Sequence, residues 1–193
     1  MKRFWFSLVT CGLGIHAWAQ GQITFGNRFL LSGVDAPVFD TDCATRLAGP
    51  AYVAQAYVGF TPDSLRPVGS ILPFRTGAAA GYVSATVVTV PGSDLNINVF
   101  FQMRAWETRT GASYEAAIAA GGKHGYSNII PMVVDFPPGT PTEPIGLQSF
   151  CLVPEPSAMI LGLLGGAALI LAGARRGRVF RPSGWAREGR YRC

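Results

Sequence analysis

Residues 153–178, VPEPSAMILGLLGGAALILAGARRGR, constrain this chain more than any other stretch. They hold three parts in fixed order. Val153-Pro154-Glu155-Pro156-Ser157 comes first, then the uncharged residues 158–174, then Arg175, Arg176 and Arg178. Proline restricts φ and pushes the residue before it into extended geometry. The two prolines flanking Glu155 therefore make a short, stiff handle, and Ser157 is placed to cap the helix that follows. A helix over 158–174 would be about 25 Å long at ~1.5 Å per residue. That is slightly short of a ~30 Å hydrocarbon core, and the arginines beyond it can snorkel and extend the span. The alternative, a buried core helix, would need apolar partners on all sides and would end in an arginine cluster.

The three-part order resembles the PEP-CTERM sorting signal of Gram-negative bacteria. The resemblance is carried by Val153, Pro154, Glu155, Pro156 and Ser157, by the apolar span after them, and by Arg175, Arg176 and Arg178. It covers residues 153–178 and no more of the chain. It implies processing by a membrane-embedded exosortase that recognises the handle, in a protein linked to exopolysaccharide and biofilm. Such signals usually stop soon after the basic cluster, whereas here an Arg-rich tail, 179–193, continues.

The start of the chain has the layout of a secretory signal peptide. Met1 to Arg3 are a short positive region, Phe4 to Ile15 are apolar, and Ala17-Trp18-Ala19 places small residues three and one before a cut. The expected mature start is Gln20, with signal peptidase as the first processing partner. An apolar run of that length is too short to span a bilayer comfortably. With this signal at one end and a stop-transfer span at the other, the body is exported. The tail stays in the cytoplasm, and the precursor is a single-pass inner-membrane protein destined for the cell surface or the extracellular space.

The net charge of +5 invites a nucleic-acid reading, but its location excludes one. The basic excess sits at the two ends, beside the apolar runs, where positive-inside topology puts it. Segment 20–157 carries seven basic and ten acidic residues.

Residues 20–152 read as an exported, mainly β body with Gly, Pro and Asp punctuation. The expected architecture is an antiparallel β-sandwich of jelly-roll or immunoglobulin-like type. Strands are expected over 22–25, 51–59, 81–90, 97–107, 129–136 and 145–152. Ser113 to Ala120, alanine-rich between glycines, predicts one short helix. Residues 136–144 form a Pro-rich connector. Along 97–107, Ile97, Val99, Phe101, Met103 and Ala105 share one uniformly apolar face and should meet the core. The opposite face holds Asn98, Phe100, Gln102, Arg104 and Trp106. Either it is an aromatic binding face for a sugar or a partner, or it is a second layer covered by a loop. The segments VAQAY (53–57), PFRTG (73–77), QMRAWE (102–107) and GASYEAA (111–117) together look like exported bodies found with such sorting signals.

Few residues are available for chemistry. Cys11 leaves with the signal and Cys193 ends in the cytoplasm, which leaves Cys43 and Cys151 in an oxidising compartment. They form either a disulfide closing a loop of roughly a hundred residues, stabilising by at most ~4.7 kcal/mol, or two half-buried free thiols. His124, the only mature histidine, lies among glycines and reads as an exposed loop residue. No serine-nucleophile motif, Cys-x-x-Cys or His-Glu-x-x-His set is present. Asp40-Thr41-Asp42, with Asp35 nearby, suits calcium oxygen ligation weakly and turn chemistry well. Ala158, Gly162 and Gly166 line one face of the span, where small residues permit close helix approach.

The expectation is thus a non-enzymatic exported surface or matrix protein with no cofactor or metal. The rival is a permanently membrane-anchored module that binds carbohydrate or protein. An exported hydrolase is disfavoured by the single mature histidine, although carboxylate-only glycosidases need none.

Overall fold

A computed structural model describes residues 20–93 and 97–153 of the chain. These fold into eleven strands and one short helix: β1 (Gly21–Phe25), β2 (Arg28–Phe29), β3 (Val34–Asp35), β4 (Val38–Phe39), β5 (Gly49–Gly59), β6 (Arg66–Phe74), β7 (Thr86–Val90), β8 (Asn98–Glu107), α1 (Tyr114–Ala119), β9 (His124–Tyr126), β10 (Ile130–Val133) and β11 (Phe150–Cys151). The principal sheet is antiparallel, in the order β10-β8-β5-β6, with β9 also pairing β8. Around it lie two-stranded ladders: β1 with β7 and β2 with β3, both antiparallel, and β4 with β11, which is parallel. No helix among the described residues is long and apolar enough to cross a membrane. The expected signal peptide at 1–19, span at 158–174 and tail at 179–193 lie outside the described residues.

Alternation along β8 organises the core. Val99, Phe101, Met103 and Ala105 are fully buried on one face, as their spacing predicts. They meet Ala54, Ala56 and Val58 from β5, and Ile23, Phe25, Val88 and Val90 from the β1–β7 ladder. Phe25 packs against Phe101 with ring centres 6.2 Å apart. The opposite face carries a smaller core of Val53, Tyr57, Trp106, Tyr114 and Ala117. Helix α1 closes over it. Ser113 caps α1 by accepting from the Ala116 N–H.

Several sequence expectations are corrected. Strand β6, RPVGSILPF, was not anticipated, because Pro67, Gly69 and Pro73 argue against a strand. It survives because it is the edge of the sheet, where a missing N–H need not leave a ladder bond unmade. Its pairing with β5 is interrupted by two register shifts. The strand expected over 81–90 begins only at Thr86, because residues 81–83 bond instead to Asn27 and Arg75. The strand expected over 129–136 ends at Val133. Beyond it the chain crosses to the other ladder, where Asp135 and Gln22 exchange backbone bonds. The strand expected over 145–152 shrinks to Phe150–Cys151, since Pro144 to Leu147 close a turn with Gly146 at φ +89°.

Candidate functional site

A compact staple holds residues 150–153 to the body. Strand β11 has only two residues and pairs with the equally short β4. Cys151 is joined to Cys43 by a disulfide with Cα atoms 5.2 Å apart. Leu152, buried, donates its N–H to Phe39 O at 2.9 Å. Val153 then exchanges backbone bonds with His124, at 2.8 and 3.3 Å, and its side chain is exposed. Gly125 allows this approach: a Cβ there would stand 2.7 Å from Cys151 O. Of the handle, only Val153 is described; Pro154, Glu155, Pro156, Ser157, Arg175, Arg176 and Arg178 lie outside the described residues, as do Ala17 and Ala19. Gln20, the expected mature start, is exposed.

The turn that presents Cys43 is held by its acids. Cys43 adopts φ +54°, a left-handed conformation uncommon outside glycine. Asp42 accepts from the Thr45 hydroxyl and from the Ala44 and Thr45 N–H groups, which hold its carboxyl down at about 2. Asp40 pairs with Lys123 at 2.8 Å and accepts from Tyr52. Partial burial pushes the Asp40 carboxyl up, but the Lys123 ammonium and the Thr41 N–H outweigh it and leave it below the usual range. Asp35 accepts from Tyr82 instead of joining this group. The Asp40–Asp42 segment is thus turn and ion-pair chemistry. No group of three potential metal ligands occurs among the described residues.

His124 does not sit in an exposed loop. It opens β9, half-buried, with Nδ1 2.9 Å from Gly122 O and its ring edge-on to Tyr114 at 5.7 Å. The expectation failed because the flanking glycines serve close packing here, against Thr110 at Gly122 and Cys151 at Gly125.

Three of the segments singled out in the sequence converge on one cluster. Tyr57, Arg104 with Trp106, and Tyr114 with Glu115 meet between β5, β8 and α1. The Arg104 guanidinium lies 4.1 Å from the Tyr57 ring centre and 5.0 Å from that of Tyr114. Its Nε donates to Gln102 Oε1, and Nη1 is 3.6 Å from Glu115. Trp106 is 0% exposed and donates Nε1–H to Gly111 O. Of the two readings of this face, the covered second layer holds at Trp106, which is core under α1 rather than under a loop, and Phe100 is half-buried. What remains open is a shallow groove of about 260 Å³ beside Arg104, bordered by Gln102, Tyr114, Tyr126 and Ile129. The sequence offered no signal for Tyr126, which ends a strand too short to show periodicity.

The cluster makes the fold sensitive to alkali. Burial, then the Glu115 carboxylate, pushes the Tyr57 hydroxyl far up. Burial pushes Tyr114 up to about 12, against the pull of Arg104. A raised tyrosine pKa means the unfolded state loses its proton first. Stability from these groups is complete below the ordinary tyrosine value of ~10 and falls as pH rises through that value toward the folded ones. The melting temperature of the Tyr57→Phe/Tyr114→Phe variant should fall less than that of the parent between pH 9.5 and 11, values chosen to bracket the ordinary tyrosine pKa of about 10. Equal losses would show that these hydroxyls do not titrate with unfolding.

The chain matches no family model, no curated protein and no solved structure.

Proposed function

We propose that this is an exported, non-enzymatic surface or extracellular-matrix protein delivered to an exosortase by a PEP-CTERM-type sorting signal. The observation that carries the reading is the order handle, apolar span and arginine cluster at 153–178. The position of the handle supports it. The staple anchors Val153, the residue directly before Pro154, to the body through its backbone bonds with His124. The Cys43–Cys151 disulfide supports an extracytoplasmic body. On this reading signal peptidase cuts before Gln20, the span 158–174 holds the precursor in the inner membrane with its C-terminus inside, and processing releases the body to the surface, in association with exopolysaccharide. We read the body as a small β-sandwich, with the β1–β7 ladder as its second layer.

The test is Pro154→Ala/Pro156→Ala, followed by body mass and membrane association in cells that carry an exosortase. Alanines at both positions allow helix to propagate back toward Glu155, and a protease-like enzyme needs an extended segment. Processing should stop while export and body stability are unchanged. Trimming at the parental rate would leave 153–178 as an anchor only. The groove beside Arg104 favours the second reading, a permanently anchored binding module, and an untrimmed parent in such cells would support it.

A further inference from the structure

The seven basic residues of the body are not evenly used. Lys123, Arg104 and Arg109 each have a carboxylate partner. Among the described residues Arg28, Arg46, Arg66 and Arg75 have none; two of these four stack on one side chain, Tyr82, and a third, Arg75, pairs with Tyr82 through its backbone. The Arg28 guanidinium lies 4.9 Å from the Tyr82 ring centre and that of Arg46 lies 5.4 Å from it. Arg75 stands opposite Tyr82 and donates its N–H to Tyr82 O at 2.8 Å. Because Phe74 and Val83 pair and point into the core, the Arg75 side chain leaves on the Tyr82 side. All three arginines are exposed, whereas Tyr82 beneath them is 3% exposed.

The cluster rests on a rigid frame. Asn27, fully buried, donates to Ala36 O and Gly81 O and accepts from the Val83 N–H. It thereby locks the segment bearing Arg28 to the segment bearing Tyr82. Arg46 is set by its bridge to Phe39 and by the Gly81 N–H donating to Leu47 O at 2.7 Å. Asp35 lies across the ladder from Arg28, but its carboxylate accepts from the Tyr82 hydroxyl at 2.5 Å and forms no ion pair with Arg28. The patch holds three positive charges against this one negative, in a body whose overall balance is acidic.

We propose that the Arg28–Arg46–Arg75 patch binds an acidic polysaccharide through its carboxylates. Guanidinium forks match carboxylates in paired hydrogen bonds, and stacking on Tyr82 holds two of them in place before the ligand arrives. Two observations favour a polyuronate over a nucleic acid. The ring on which the arginines stack, Tyr82, is covered, so it offers no face for a base. The acidic remainder of the body repels a polymer as densely charged as DNA, at one charge per ~1.7 Å, and tolerates one with widely spaced carboxylates. The inference names a partner chemistry for the proposed surface protein, but it is tested on the purified chain and does not depend on the handle.

The experiment is arginine footprinting of the full chain in nonionic detergent, with phenylglyoxal and mass spectrometry, so that the tail arginines are read separately. Polygalacturonate should slow labelling of Arg28, Arg46 and Arg75 about tenfold, and neutral dextran should not. Arg66 and Arg109 should label at unchanged rates. In the Arg28→Gln/Arg46→Gln variant, Arg75 should lose its protection while the melting temperature stays at the parental value. Equal protection at Arg66 and Arg109 would overturn the patch as a site. Protection by duplex DNA or polyglutamate at a lower concentration than by polygalacturonate would overturn the polysaccharide as its ligand.

Discussion

Trp106→Ala should destabilise the body by about 3–5 kcal/mol, the range for emptying a buried large aromatic site. Trp106 is fully buried among Val53, Tyr57, Tyr114 and Ala117, and Tyr114 packs edge-on against it at 6.3 Å. The cavity cannot collapse easily, because α1 is a single short helix fixed by its Ser113 cap and by Gly111. A Cβ on Gly111 would stand 2.4 Å from the Ala117 nitrogen, so α1 already sits as close as backbone allows. Trp106→Phe should cost less, retaining most of the ring while leaving Gly111 O without its donor. Urea unfolding of the full chain in detergent, followed by far-UV circular dichroism, measures both. A loss within about 0.5 kcal/mol for Trp106→Ala, as for a surface residue, would mean that the indole faces solvent and that the aromatic-face reading was right.

Loss of the Cys43–Cys151 disulfide should be comparably severe, about 2–5 kcal/mol. The bridge spans 108 positions, so it removes much freedom from the unfolded chain in the loop-entropy account. It also has little help locally, since the β4–β11 ladder holds two residues a side. In Cys43→Ser/Cys151→Ser the staple should loosen before the core does. Amide exchange at Leu152 and Val153, whose N–H groups bond to Phe39 and His124, should accelerate more than exchange in β5 or β8. A double variant with unchanged unfolding midpoint and unchanged exchange at both amides would show that the staple holds without its bridge.

The sequence alone determined what local periodicity and composition can encode. Strand β8 and its inward set Val99, Phe101, Met103 and Ala105 were legible because alternation over ten residues is a long signal. Helix α1 was legible from alanine content between glycines. Tertiary structure decided the rest. Pro67 and Pro73 forbid a central strand but not an edge one, and only the sheet order reveals which β6 is. Trp106 alternates with Phe101 and Met103, so it had to point away from them; whether solvent or α1 waits there depends on a chain reversal no window of sequence contains. The Tyr82 patch draws on residues 28, 46, 75 and 82, joined through the buried amide of Asn27. Each is unremarkable in its own segment, because long-range hydrogen bonds leave no periodic trace in the residues that make them.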